Sequence, residues 1–176
     1  TRSPWTLPGN VGLAVDKNAK YVEVKIDNET LILAQNRTEI IENAKVLKTF
    51  NGTDLLGLEY EPLYNFINYD KKAHFVIPAD FVSLDEGTGI VHTAVMYGEE
   101  DFELGKKFDL PKKHSVNEKG QFVDEVTPWA GMFVKKADPL IIEDLEEKKL
   151  LFKKEEIKHT YPFCWRCGTP LLYYAL

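Results

Sequence analysis

Residues 87–102 read GTGIVHTAVMYGEEDF, and about eighty residues upstream the chain opens with TRSPWTLPGN at residues 1–10. The first stretch has the pattern of a turn, a strand and a helix. Gly87 and Gly89 flank Thr88, and glycine permits a positive φ and close approach of the backbone. The apolar run at 89–95 reads as a strand, with His92 inside it. Glu99, Glu100 and Asp101 then open a helix over 98–108, where carboxylates suit the positive end of the helix dipole. The second stretch sets the hydroxyls of Thr1, Ser3 and Thr6 around Pro4 and Trp5, and Pro4 and Pro8 stiffen it. Hydroxyls can hold a water or an ester carbonyl by hydrogen bonds without introducing charge. On composition alone a polar, proline-bearing N-terminal strand is the better account of residues 1–10.

Outward from these stretches the chain is rich in short β-type runs. Residues 11–15, 21–26, 31–34, 73–77 and 171–174 read as strands, with a hairpin turn at Asp27-Asn28. Helices are predicted to be short and peripheral. One covers 37–44 with Thr38 as its cap, and another covers 139–149 with Asp138 at the N-cap and Pro139 at the first helical position. Residues 65–72 read as an exposed loop. The fold class is therefore β-rich, all-β in its core with helices around it. Periodicity does not choose between a barrel and a curled sheet.

The chain has 176 residues, 44% of them hydrophobic and 28% charged, as expected of a single water-soluble domain spanning 1–176. No apolar run approaches the roughly 18 residues that cross a bilayer. A net charge of -6 argues against general binding of DNA or RNA through a positive field. Cys164 and Cys167 are the two cysteines, too close to staple a secreted scaffold, and a cytoplasmic location is expected. The chain begins at Thr1, within a motif, which leads us to expect a piece excised from a longer protein.

The two quoted stretches resemble the walls of the hydrolytic pocket in the editing domain of isoleucyl-tRNA synthetases. That family's usual opening is Thr-Thr-Thr-Pro-Trp-Thr-Leu-Pro, and its second motif is Gly-Thr-Gly-x-Val-His-x-Ala-Pro with an Asp nine residues beyond the His. Here His92 and Asp101 keep that spacing, while Val95 replaces the Pro, Arg2 the middle Thr and Ser3 the third. HTYPFCWRCGTPLLYYAL at 159–176 resembles the segment returning to the synthetase core. Valyl and leucyl enzymes carry related domains but typically show Arg-Pro before an acidic residue where this chain has Ser3-Pro4-Trp5. The resemblance implies a closed six-stranded β-barrel and hydrolysis of mischarged Val-tRNA(Ile), with valyl-adenylate as a further substrate. It implies the tRNA 3′ end, the valine moiety and the rest of the synthetase as partners, and no cofactor.

It also implies site residues. Thr6 and Ser3 would hold the water or the carbonyl, and Thr1 lines the same opening. Trp5 would form a flat apolar wall, with Tyr161 opposite. His92 would limit the pocket's size or order the water and ribose hydroxyls. Gly87, Thr88 and Gly89 would lie beside the terminal adenosine. Asp101 would grip the substrate's α-ammonium, for which a carboxylate is the natural partner. Each has a plainer alternative: core packing for Trp5, hydrogen-bonded structure for His92, helix-dipole matching for Asp101. Isoleucyl enzymes are the standing example of why such a pocket exists, since one missing methylene is worth only about 1–3 kcal/mol and a synthetic site admits valine. A non-catalytic barrel docking the tRNA acceptor end is the alternative of another class.

Cys164-x-x-Cys167 suggests zinc or redox chemistry. Gly168-Thr169-Pro170 follows, so the helix that opens after a redox CxxC is not expected. A structural zinc takes four ligands. The pair reads as an orphaned half-site, with no metal expected in the chain.

Overall fold

The computed structural model describes residue 1, residues 3–155 and residues 162–176. Arg2, His159 and Tyr161 lie outside the described residues, and with Tyr161 goes the expected far wall of the pocket.

Among the described residues six strands form: β1 (Gly12–Val15), β2 (Lys20–Ile26), β3 (Glu29–Ala34), β4 (Lys45–Asn51), β5 (Phe75–Pro78) and β6 (Ile90–Thr93). They make two three-stranded sheets, ordered β5-β1-β6 and β3-β2-β4. β1 pairs in parallel with β5 and antiparallel with β6, setting Leu13 opposite His92 and Gly12 opposite Thr93. The hairpin of β2 and β3 turns at Asp27, whose φ of 48° is the left-handed conformation such a turn requires.

The strands do not form one closed six-stranded ladder among the described residues, which differs from the barrel expected. The reason lies in their length. β1, β5 and β6 have four residues each, too few to pair along both sheets. The sheets meet instead through single hydrogen bonds. At one seam Ala34 N donates to Thr88 O (2.8 Å), and the buried Tyr21 hydroxyl donates to Gly89 O (2.8 Å) while accepting from Asp16 N (3.0 Å). Elsewhere β5 bonds to residues 57–58, which lie in neither sheet: Gly57 N donates to Val76 O (2.9 Å) and Val76 N to Leu58 O (2.9 Å).

Three helices pack around the sheets: α1 (Gly52–Leu55), α2 (Glu99–Lys107) and α3 (Val134–Glu147). None of the described helices is long and apolar enough to cross a membrane. α2 starts where the acidic run predicts, with Gly98 at its N-cap. α3 begins five residues earlier than expected, so Asp138 is not its cap and Pro139 lies inside it. Pro139 is the sixth residue of the helix, past the first turn in which a missing N–H costs nothing. The carboxylate of Asp138 is thereby free to cap something else. The expected helix over 37–44 is a 3-10 turn, Gln35–Ile40, in which the Thr38 hydroxyl bonds back to Gln35 O (3.0 Å). The strand expected at 171–174 is absent. Cys164 and Thr169 instead close a tight turn through Cys164 N to Thr169 O (2.8 Å). β4 has no alternating pattern because it is mostly exposed.

Apolar residues gather in one large cluster and two smaller ones. The large cluster includes Trp5, Tyr97, Phe122, Trp129 and Ile141, so it joins the N-terminal turn to α3.

Candidate functional site

Residues 4–9 fold as a 3-10 turn (Pro4–Gly9) because Pro4 and Pro8 fix φ and cannot extend a sheet. Thr6 N bonds to Ser3 O (3.0 Å) and Asn10 N to Leu7 O (3.1 Å). The turn is docked on α3 by the Asp138 carboxylate, which accepts from Trp5 N (2.8 Å). Burial pushes the pKa of Asp138 up, and the Trp5 amide and Lys135 offset part of this.

The turn delivers Thr6 to His92. Thr6 Oγ1 lies 2.7 Å from His92 Nε2 and 2.8 Å from Ser3 O, and the other ring nitrogen, Nδ1, lies 3.1 Å from Asn10 Nδ2. Chemistry sets the direction of each bond. Gly12 O can only accept, and Asn10 Nδ2 is 2.9 Å from it, so that atom is the amide nitrogen. The amide therefore donates to His92 Nδ1, the proton of the neutral ring sits on Nε2, and Nε2–H donates to Thr6 Oγ1. Thr6 in turn gives its own proton to Ser3 O. One lone pair of Thr6 Oγ1 is left over. Burial among protein atoms pushes the His92 pKa down to about 3, although the residue keeps partial solvent access, so the ring is neutral at physiological pH.

A general base needs a free lone pair on nitrogen. In His92 that lone pair is already taken by Asn10. The two roles implied for it, ordering and size limitation, fit this geometry, whereas general-base chemistry does not.

Asp101 lies in the first turn of α2 and returns to the end of β6, where its Oδ2 accepts from Ala94 N (3.1 Å). Burial, only partly offset by that amide, pushes its pKa up to about 6. A half-buried carboxylate with one oxygen engaged suits a cationic ligand group. The nine-residue spacing thus brings the Asp101 carboxylate back to Ala94, two residues past His92.

Other expected residues are placed differently. Trp5 is 3% exposed and packs edge-on against Tyr97, 5.1 Å between ring centroids. It is core here, rather than an open wall. Thr1 Oγ1 turns to Ser3 O (3.3 Å), and Ser3 contributes that shared carbonyl. Gly87 and Gly89 have φ of 56° and 70°, and a Cβ on Gly89 would stand 2.4 Å from the Ala34 side chain. The carbonyls of Gly87, Thr88 and Gly89 accept from Arg37 Nε, Ala34 N and Tyr21 Oη in turn. The loop is thereby clamped onto the second sheet. Asn10 and Tyr60 were not singled out from sequence, and Asp138 was read only as a helix N-cap. Asn10 closes the N-terminal stretch at residues 1–10, which was its only signal.

A shallow cleft of about 320 Å³ near Lys71, Lys106 and Lys112 lies at the opposite end of α2 from Asp101 and shares no residue with this site.

Cys164 and Cys167 are free thiols on the exposed turn, where the Thr169 hydroxyl lowers the pKa of Cys167. No group of three or more His, Cys, Asp or Glu that could hold a metal occurs among the described residues. Two thiols do not fill a tetrahedral zinc site. Elemental analysis of protein purified without chelators should find well under one zinc per chain. A stoichiometric value in monomeric protein would refute the half-site reading.

Comparison with known proteins gives a consistent placement. No family model matches the chain. An isoleucine--tRNA ligase of Clostridium acetobutylicum is 55% identical over 175 residues, covering 99% of this chain and 17% of the relative. One from Picrophilus torridus is 45% identical over 177 residues, again covering 17% of its length. The chain therefore spans about a sixth of these curated relatives. Among solved structures, one described as GlLeuRS-CP1 aligns with a TM-score of 0.69 at 15% identity, over 90% of this chain and 83% of that one. The editing domain of the P. falciparum cytosolic leucyl-tRNA synthetase aligns with a TM-score of 0.62 at 12% identity, over 84% of this chain and 75% of that one. Those two show the fold. Over nearly its whole length the chain matches one segment of isoleucine--tRNA ligases, and it has the fold of the leucyl-tRNA synthetase editing domains.

Proposed function

We propose that this chain is the hydrolytic editing domain of an isoleucine--tRNA ligase, cleaving valine from mischarged Val-tRNA(Ile). The observation that carries this reading is the junction of Thr6, His92 and Asn10 beside Asp101. Segments some eighty residues apart in sequence meet there with every polar direction defined. The seam at Thr88 and Gly89, which ties the second sheet to the start of β6, supports the barrel-like closure that the resemblance implies.

Hydrolysis of the ester needs a water placed against the carbonyl carbon and relief of charge on the carbonyl oxygen. Water oxygen bonds to the carbonyl carbon, the ribose oxygen departs with a proton, and free valine and tRNA result. Thr6 Oγ1 has no proton to give and one lone pair to offer. It accepts from the attacking water and turns the water's own lone pair toward the ester. Asp101 holds the α-ammonium and thereby fixes the carbonyl. His92 supports Thr6 and bounds the pocket. The same set would act on valyl-adenylate, whose valyl group is identical. No cofactor is required. The partners are the 3′ end of tRNA(Ile) and the remainder of the synthetase chain, and the cytoplasm is the corresponding compartment.

The relatives at 45–55% identity are isoleucine enzymes, which favours valine as the rejected amino acid over a leucyl or valyl specificity. The test is release of amino acid from Val-tRNA(Ile) and Ile-tRNA(Ile), by this chain and by its full-length enzyme. The expected result is release from the valyl ester, with the isoleucyl ester spared. Equal rates on both would refute editing. Binding without release would identify a docking module.

A further inference from the structure

The junction described above has a support that neither motif contains. Asn10 carries the junction, and its amide is held at both ends. The nitrogen faces Gly12 O at 2.9 Å, and the oxygen, Oδ1, accepts the hydroxyl of Tyr60 at 2.5 Å. Tyr60 comes from the irregular segment after α1, fifty residues along the chain. Its own backbone is pinned by Tyr60 N to His74 O (3.0 Å), and its ring meets His74 edge-on at 5.8 Å. His74 also reaches Asn10, since its Nε2 lies 3.1 Å from Asn10 O, and Tyr69 Oη approaches the same carbonyl at 3.4 Å. Asn10 is thus gripped at its side chain and its main chain by one aromatic cluster.

We propose that Tyr60 is a positioning residue of the candidate site: its hydroxyl, donated to Asn10 Oδ1, holds the Asn10 amide in the orientation that makes His92 an Nε2–H donor to Thr6. The proposal rests on the editing reading for its link to catalysis, but not for its structural content. An amide has an accepting end and a donating end. With Oδ1 committed to Tyr60, only Nδ2 can face His92 Nδ1. Were the amide to turn over, Oδ1 would face Nδ1, the ring proton would move to Nδ1, and Nε2 would become an acceptor. Thr6 would then give its proton to His92 and release Ser3 O. Its lone pairs would point elsewhere, and a water held there would be misdirected. Tyr60 can play this part at any working pH, because burial holds its phenol well above the ordinary tyrosine pKa and so keeps it a donor. Gly12 O also favours the observed orientation. Tyr60 supplies the second contact, without which Oδ1 is buried and unpaired.

The ring nitrogens of His92 report the answer directly. In protein labelled with 15N at histidine, the wild type should show His92 as a single neutral Nε2–H species between about pH 5 and pH 8. Tyr60→Phe keeps the ring and removes only the hydroxyl. Its spectrum should show a mixture of His92 tautomers, and kcat for Val-tRNA(Ile) release should fall about three- to tenfold with KM unchanged, the loss expected of one neutral hydrogen bond. Asn10→Asp provides a second variant. A carboxylate can only accept, so His92 should carry its proton on Nδ1. A wild-type His92 in the Nδ1–H form overturns the proposal. So does a Tyr60→Phe spectrum identical to wild type, whatever its rate. A wild type that releases no valine, yet shows the expected spectra, would remove the editing reading and leave the hydrogen-bond assignment standing.

Discussion

Asp101→Asn should lower valine release from Val-tRNA(Ile) by about ten- to more than a hundredfold, the equivalent of roughly 1.5–3 kcal/mol for a hydrogen bond to a charged group. The variant should lose no stability near neutral pH. Asn retains an oxygen to accept from Ala94 N, which is the carboxylate's internal bond. What disappears is a negative charge that the fold holds at a cost, because burial raises the Asp101 pKa to about 6 from an ordinary carboxylate value of about 3.9. The sign of the linkage follows. A carboxyl with a raised folded-state pKa contributes stability fully below its unfolded pKa, and that contribution is lost as pH rises through about 6. Wild type and Asp101→Asn should therefore diverge in Tm across that window, with the variant equal or higher on the neutral side. Activity runs the other way. Wild-type release should decline as pH falls through about 6, when the partner of the substrate ammonium is neutralised. A helix-dipole role predicts a variant less stable by about 0.3–1 kcal/mol with an unchanged rate. Tm and single-turnover deacylation on the same preparations separate the two, and an unchanged rate would remove Asp101 from the site.

The parts of this fold that could be read from sequence are those with a local cause. The β2–β3 hairpin is written in its alternation and in Asp27-Asn28, and α2 in its acidic start. β4 could not be read, because an exposed strand carries no apolar period. The start of α3 was misplaced for a similar reason. Asp138-Pro139 is a strong N-terminal signal, and tertiary structure overrode it by extending the helix back to Val134 and spending Asp138 on Trp5 N. In the site, Thr6, His92 and Asp101 were singled out by the resemblance their motifs carry. Asn10 and Tyr60 were not, because an Asn or a Tyr has no distinguishing neighbours until the chain is folded. Trp5 shows the converse. Its motif suggested an open wall, and its size and apolarity placed it in the core. The closed barrel came from resemblance, whereas the strand lengths yield two sheets joined at a seam.

His92 offers the sharper contrast between two replacements. His92→Ala deletes both the acceptor for Asn10 Nδ2 and the donor to Thr6 Oγ1. Each of these two buried groups loses one of its hydrogen bonds, and together the losses should cost about 1–3 kcal/mol of stability. Valine release should fall at least about tenfold, since Thr6 is no longer held. If the ring also sets the size limit, the space it vacates will let isoleucine release rise from its baseline, and Ile-tRNA(Ile) is the substrate that reports it. His92→Gln separates polarity from acid–base chemistry. A Gln amide presents one acceptor and one donor on neighbouring atoms, with no titration in the working range. It can accept from Asn10 and donate to Thr6, in the same sense as the Nε2–H imidazole. On the present geometry, His92→Gln should recover most of the stability and more of the valine release than His92→Ala, while still sparing isoleucine. A catalytic base predicts otherwise, with Gln as inactive as Ala and a rate that tracks a histidine pKa. The buried ring already argues against that, since a pKa pushed down to about 3 makes a poor proton acceptor at neutral pH. Measuring Tm and both deacylation rates for the two variants decides whether His92 works by the direction of its hydrogen bonds or by moving a proton.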